Sequence, residues 1–190
     1  MGTKIIALTA IFAALAIALN PAISRISVPA PFFPILAYTV SEIPIVIVLL
    51  LAGYKAGVTA GLIASLASLA FHPTYIVVWG IVAVLSMLTG VYLGYRLATR
   101  NVAQEKTPST SRTVLFCTTG GIVFRTVIMA IQNYAALRYP VIGMELPEPV
   151  IIAIMPLVAL FNITLVLYVV PIGYFIAKTI NKHLKVGNRI

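Results

Sequence analysis

The chain has 190 residues, of which 61% are hydrophobic and 9% are charged, and its mean hydropathy is +1.08. This composition excludes an ordinary water-soluble domain, because one core could not bury so many apolar side chains. Thirteen Lys and Arg against four Asp and Glu give a net charge of +9. Such a charge can indicate nucleic-acid binding, but no soluble basic domain is present to hold a nucleic acid, and we expect no such partner.

Six apolar segments are each suited to a membrane-spanning helix, which needs about 20 predominantly apolar residues. The sequence therefore predicts an all-α membrane protein, folded as a single domain over residues 1–190. The first segment could also be a cleaved signal peptide. We expect it to be retained, because no polar region leads from it into a cleavage site. The predicted spans cover residues 4–20, 35–51, 56–71, 76–98, 113–137 and 150–180.

The basic residues divide unequally between the two sides of these six spans. Only Arg25 and Arg138 lie in loops on one side, and Arg125 lies within the fifth span. The positive-inside rule therefore places both termini and the linker 100–112 in the cytoplasm of a multi-pass plasma-membrane protein embedded in the lipid bilayer. The ten basic residues on the cytoplasmic side are Lys4, Lys55, Arg96, Arg100, Lys106, Arg112, Lys178, Lys182, Lys185 and Arg189.

Small residues recur every four positions in the first span, at Ala10, Ala14 and Ala18. A stripe of this kind lets another helix approach closely. It predicts either packing against a neighbouring span of the same chain or a docking face for a second membrane protein.

The segment 21–34, between the first two spans, is rich in proline and contains Phe32 and Phe33. Prolines restrict its conformations, and the two rings avoid water. One interpretation is an aromatic belt at the membrane interface. The other is a lid that folds over a pocket open to the outside.

Glu42 is an acidic residue within the second span, shortly after Leu36 and Tyr38 and two residues before Pro44. A carboxylate within a membrane needs a partner, and proline disturbs the preceding helical turn. Glu42 therefore pairs with Arg125 of the fifth span or supports a ligand pocket. The sequence leaves both alternatives open.

Further polar and aromatic side chains are predicted toward the outer ends of the later spans. Arg125 and Asn133 share one face of the fifth helix. Asn162 can hold an amide-like or heterocyclic edge, or it can simply bond to another helix. Together they favour a pocket whose other candidate residues are Tyr75, Trp79 and Tyr134.

Signatures of catalysis and of metal binding are missing from the sequence. There is no HExxH, GxSxG or Walker lysine motif, and four acidic residues leave little for a metal site. The lone cysteine, Cys117, excludes an internal disulfide and is expected to be a small packing residue. We therefore expect neither catalytic residues nor a metal.

Three stretches resemble the substrate-binding S components of energy-coupling factor (ECF) vitamin transporters, and the riboflavin-specific members most of all. Two departures from the riboflavin pattern are Glu42, where Asp is usual, and the absence of a Lys soon after Phe161 and Asn162. The stretches read LAYTVSEIPIVIVLLLAGYKAGVTAGLIAS (36–65), FRTVIMAIQNYAALRYP (124–140) and IMPLVALFNITL (154–165).

The resemblance implies a subunit that binds riboflavin or a related flavin from outside and has no cofactor of its own. A membrane coupling subunit would dock on the stripe Ala10, Ala14 and Ala18, and two cytoplasmic ATPase subunits would consume ATP. The alternatives are an S component for another vitamin or precursor, or a stand-alone secondary transporter. The implied substrate-binding residues are Phe33, Leu36, Tyr38, Glu42, Tyr75, Trp79, Arg125, Asn133, Tyr134 and Asn162.

Overall fold

The computed structural model describes residues 2–24, 26–71, 75–100, 109–139 and 145–184. Parts of the predicted linker (101–108) and of two predicted outer loops (72–74 and 140–144) lie outside the described residues. The described elements, in chain order, are α1 (Thr3–Ala18), α2 (Pro21–Ser24), β1 (Val28–Ala30), β2 (Phe33–Tyr38), α3 (Ile43–Ala52), α4 (Tyr54–Phe71), α5 (Tyr75–Arg100), α6 (Thr110–Arg138) and α7 (Glu148–Leu184).

Four of the helices are long and apolar enough to cross a membrane. The stretches that qualify are Tyr54–Phe71, Val78–Arg100, Thr110–Arg138 and Glu148–His183. The remaining two apolar helices are shorter, with 16 residues in α1 and 10 in α3. Large apolar side chains such as Leu115 and Ile131 are exposed on the outside of the bundle. A surface of this kind is suited to contact with lipid.

The segment predicted as the second span is helical only in its second half. Residues Phe33–Tyr38 form strand β2, which pairs antiparallel with β1 in a short hairpin. The prolines at positions 29, 31 and 34 lack the backbone donor that a helix needs. Pro44 is tolerated only in the first turn, so α3 begins at Ile43. Pro44 predicts a disturbed turn near Glu42, but none of residues 35–42 is helical, so the prediction of a membrane-spanning helix over 35–51 is wrong there.

The hairpin lies beside the middle of α7. The Tyr38 ring packs on the Phe161 ring with centroids 5.0 Å apart, and its hydroxyl lies 2.7 Å from the Thr164 hydroxyl. The Tyr168 hydroxyl donates to the Thr39 carbonyl oxygen at 2.6 Å. Non-helical backbone is tolerated at membrane depth only where protein buries it or where it lines a cavity. These contacts with α7 meet that condition.

Helices α5 and α6 pack with their backbones in direct contact. A Cβ atom added at Gly90 would lie 2.1 Å from the Gly120 carbonyl oxygen. One added at Gly94 would lie 2.1 Å from the Phe116 carbonyl oxygen. Glycine is therefore required at this crossing, which follows the small-residue packing typical of membrane helices.

Helix α3 is buried over most of its length and turns sharply into α4. Gly53 joins the two helices with φ 96°, a conformation that side chains other than glycine rarely adopt. The all-apolar sequence of α3 agrees with burial on every side. α3 and α4 thus form a tight pair, with α1 packed against both helices and α7 packed against α3.

Candidate functional site

A cavity of about 350 Å³ lies at the end of the bundle where α1 and α4 end and α5 begins. Its apolar part comes mainly from α1, β2 and α7, and its polar part from the turn between β2 and α3, from α4 and from α6. The lining residues are Ala16, Asn20, Pro21, Leu36, Ala37, Thr39, Ser41, Glu42, Ile45, Ala64, Ser65, Ser68, Gly80, Val84, Arg125, Phe161 and Leu165.

A buried ion pair, Glu42 with Arg125, borders this cavity. Arg125 Nη1 lies 2.5 Å from Glu42 Oε2, and Nη2 lies 3.1 Å from Oε1. Arg125 is 4% exposed and Glu42 9%. This fork-to-fork geometry is the strongest that an arginine and a carboxylate can form. The structure therefore answers the question that the sequence left open, because the two residues do pair.

Asn162 completes the group from α7. Its Oδ1 accepts from Arg125 Nε at 2.9 Å, and its Nδ2 donates to the Val158 carbonyl oxygen at 2.8 Å. Both ends of the amide are thus engaged within the protein. Asn162 orients Arg125, and the group ties the start of α3 to α6 and α7. Because the two charges cancel, this border of the cavity has no net charge.

Leu36, Glu42 and Arg125 are the predicted site residues that line the cavity. Tyr38 lies beside it, where its ring and hydroxyl contact α7. Phe33, at the start of β2, is half-buried and is not among the lining residues.

The predicted residues near the outer ends of α5 and α6 do not line the cavity. Asn133 Nδ2 donates to the Met129 carbonyl oxygen of its own helix at 2.7 Å. Tyr134 is exposed, and its hydroxyl lies 3.5 Å from Glu148 Oε1. The side chain of Tyr75 lies outside the described residues.

Trp79 marks a polar position between α5 and α6. Its carbonyl oxygen accepts from Gln132 Nε2 at 3.3 Å. Trp79 Nε1 and Gln132 Oε1 are buried and have no hydrogen-bond partner among the described residues. Buried polar atoms usually find a partner, so a water is expected at these two atoms; neither Trp79 nor Gln132 lines the cavity.

Several polar lining residues were not predicted, and those on α4 left a signal in the sequence. Ser65 and Ser68 are polar residues in an otherwise apolar helix, three positions apart and thus on nearby faces. Asn20 Nδ2 donates to Ser68 Oγ at 2.7 Å, which joins the end of α1 to α4. Thr39 and Ser41 left no comparable signal, because their position depends on the unpredicted hairpin.

The alanine stripe of α1 faces away from the bundle. Ala10, Ala14 and Ala18 are exposed, whereas Ala13 and Ala16, on the other face, are buried. The stripe therefore does not pack against another helix within the part of the chain that the structure describes.

The cavity can take up a small molecule by apolar contact and hydrogen bonds. Its volume falls within the usual range for small-molecule sites, about 300–1,000 Å³. Hydroxyl groups of Thr39, Ser41 and Ser65 offer both donors and acceptors. Among the described residues, no group of three or more His, Cys, Asp or Glu is placed to hold a metal ion.

No protein-family model and no curated protein matches this sequence. A solved structure, the S component of a bacterial ECF transporter, is similar to it with a TM-score of 0.71 and 21% sequence identity. The likeness covers 96% of this chain and 98% of that one. The chain thus has the fold of an ECF S component, as the three sequence stretches predicted. With four helices of membrane-spanning length, it is a multi-pass membrane protein.

Proposed function

We propose that this chain is the substrate-binding S component of an ATP-driven ECF vitamin importer in the plasma membrane. The observation that carries the proposal is the cavity of about 350 Å³ beneath the hairpin, in a fold shared with an S component over nearly its whole length. This subunit captures the vitamin, and it has no catalytic residue of its own.

Six segments cross the membrane in this proposal. Helix α3 has 10 residues, about 15 Å at 1.5 Å per residue, which is half of a hydrocarbon layer of about 30 Å. The hairpin supplies the other half of that crossing. The partition of Lys and Arg places the termini in the cytoplasm. The cavity then opens to the outside, and the hairpin acts as its lid.

Riboflavin or a related flavin is the proposed substrate. Leu36 and Phe161 offer apolar contact to a flat heteroaromatic ring, and hydroxyls such as Ser65 suit a hydroxylated chain. Support also comes from the resemblance of three sequence stretches to riboflavin-specific members. The mutual neutralisation of Glu42 and Arg125 favours a ligand without a net charge.

A different vitamin or precursor is the second candidate, and one observation favours it. Riboflavin-specific members carry a Lys soon after the Phe-Asn pair, and this chain has Thr164 in that region. The Thr164 hydroxyl is bound to Tyr38 and carries no charge. A substrate that needs no cation at this position fits the cavity equally well.

The predicted residues take two kinds of role in this proposal. Leu36, Glu42 and Arg125 contact the ligand directly, and Asn162 positions Arg125. The others approach the ligand only when the outer end closes over it. They are Phe33, Tyr38, Tyr75, Trp79, Asn133 and Tyr134.

An absorbance spectrum of the purified chain tests the substrate. Flavin bands, or quenching of added riboflavin fluorescence, are the expected result. Ser65→Trp should fill the cavity and abolish binding, whereas Leu66→Trp on the exposed side of the same helix should leave it intact. A colourless preparation that fails to quench riboflavin fluorescence would favour a different vitamin or precursor as the substrate.

The exposed alanine stripe is the proposed docking face for the membrane coupling subunit, with two cytoplasmic ATPases completing the importer. Ala14→Trp should abolish uptake in cells but leave ligand binding intact. The control is Leu167→Trp, which changes an exposed side chain of α7. Uptake into liposomes by this subunit alone would instead indicate a stand-alone secondary transporter.

A further inference from the structure

A second groove is lined by α5 and α6 and shares no lining residue with the cavity. It has a volume of about 640 Å³ and follows one face of α5 toward its C-terminal end, where α6 begins. Its lining residues recur at helical spacing on α5 and include one ring from α6. They are Leu93, Arg96, Leu97, Thr99, Arg100 and Phe124.

The groove is apolar at one end and basic at the other. Phe124 lies close to Gly90, because its Cβ is 2.9 Å from the position of a Cβ built on Gly90. Leu93 and Leu97 follow, and both are exposed. Arg96 and Arg100 stand at the end of the helix. From Gly90 to Arg100 the helix rises about 15 Å, which is the depth of one leaflet of a bilayer.

The two arginines lack a carboxylate partner in the part of the chain that the structure describes, where the one ion pair is Glu42 with Arg125. Arg96 lies over the Tyr92 ring, 5.9 Å from its centroid, and Nη1 is 3.4 Å from the Tyr92 hydroxyl. This contact leaves most of its donors unused. Both arginines are exposed. Among the described residues, no carboxylate therefore neutralises their charge.

We propose that this groove binds an anionic phospholipid of the leaflet next to the C-terminal end of α5. One acyl chain lies along Leu93, Leu97 and Phe124, and the phosphate is held between Arg96 and Arg100. A guanidinium binds a phosphate through paired donors. The occupant is a lipid because Leu93 and Leu97 are exposed apolar side chains on a helix of membrane-spanning length, with the two arginines at its end. This site is independent of the vitamin cavity.

Native mass spectrometry of the full chain, released from detergent with defined lipids, tests the proposal. We expect phosphatidylglycerol to be retained in preference to phosphatidylcholine with the same acyl chains. Replacing both arginines, Arg96→Gln with Arg100→Gln, should weaken retention about 30-fold, because each arginine that contacts the phosphate is expected to raise affinity about five-fold. The matched control, Lys55→Gln with Lys182→Gln, removes the same charge elsewhere and should keep the preference.

The apolar half of the groove has its own test. Leu97→Trp should fill the groove and reduce retention of phosphatidylglycerol, whereas Leu115→Trp, at another exposed apolar position, should not. Size-exclusion chromatography and helical circular dichroism verify that each variant is folded. Equal retention by the arginine and lysine double variants would overturn the proposal. So would full competition by soluble glycerol phosphate, which would indicate a site for a free anion.

Discussion

The two halves of the bundle achieve their packing by different means. Helices α5 and α6 meet through glycines, backbone against backbone, with little room between them. On the other half, α3 and the hairpin meet α7, where side chains such as Tyr38 and Tyr168 form hydrogen bonds, and the cavity is lined in addition by α1 and α4. Because β2 takes the place of half a helix, fewer side chains pack against the neighbouring elements there, and the cavity remains open.

This difference assigns rigidity and binding to separate parts of the molecule. The α5–α6 crossing is expected to be rigid, since the two backbones are already in contact. The hairpin half depends on a few hydrogen bonds and one buried ion pair, so a ligand can alter it at lower cost in free energy. Four substitutions test this comparison.

The largest effect is expected from Glu42→Ala. Removing the carboxylate leaves Arg125 buried without its counter-ion, and the free energy of unfolding should fall by about 3–5 kcal/mol. Unfolding by SDS in mixed micelles measures this. The double variant Glu42→Ala with Arg125→Leu should be less destabilised than the single one. Equal stability of Glu42→Ala and the parent chain would contradict the role of the pair.

Gly90→Ala tests the rigid half. The added methyl group would meet the Gly120 carbonyl oxygen and push α5 and α6 apart, at a cost of about 3 kcal/mol. The same SDS titration measures it. Gly80→Ala is the control, because no atom lies within 4 Å of a Cβ there, and it should not lower stability. Similar losses of stability in Gly90→Ala and Gly80→Ala would contradict the close backbone packing of α5 against α6.

Gly53→Ala tests the turn between α3 and α4. At φ 96° an alanine is strained, and we expect a loss of about 2 kcal/mol. Lys55→Ala, at an exposed position two residues later, should have almost no effect. The midpoint of thermal unfolding in detergent compares the two. If both variants have the same unfolding midpoint as the parent chain, the turn at Gly53 is not held in this conformation.

Tyr168→Phe should produce the smallest effect on stability, about 1 kcal/mol, because it removes one hydrogen bond, to the Thr39 carbonyl oxygen. It should also weaken ligand binding, since Thr39 lines the cavity. Tyr54→Phe removes a comparable bond, to Thr89, far from the cavity. Titration with the ligand should show reduced affinity for Tyr168→Phe but not for Tyr54→Phe. Equal affinities of the two variants would indicate that the contact between Tyr168 and Thr39 does not contribute to ligand binding.

The sequence predicted the helices that follow simple apolar runs, and α4 to α7 lie close to the predicted segments. It also indicated the fold, through short stretches that resemble S components. It did not predict the hairpin, because segment 28–38 has no clear alternation of polar and apolar residues and its neighbours lie on α7. The six crossings and their orientation stay predictions, since they depend on a membrane rather than on the chain's own contacts.

Prediction of the site was limited by distance along the chain. Glu42 and Arg125 were each identified as costly in a membrane, but their contact joins residues 83 positions apart. Asn133 had the right chemistry, yet it bonds within its own helix. Serines of α4 were overlooked because a single hydroxyl in an apolar helix is easily satisfied by its own backbone, as Ser68 is.

The hairpin has a consequence for how the protein is made. Thr164, whose hydroxyl bonds to that of Tyr38, follows Tyr38 by 126 residues. Tyr168, which donates to the Thr39 carbonyl oxygen, follows Thr39 by 129 residues. While the ribosome is still synthesising the chain, the polar backbone of residues 28–42 lacks these α7 neighbours, which help to make the hydrocarbon layer tolerable. We therefore expect this segment to settle at its final depth only after α7 is inserted, so that a helix translated much later completes an earlier part of the molecule.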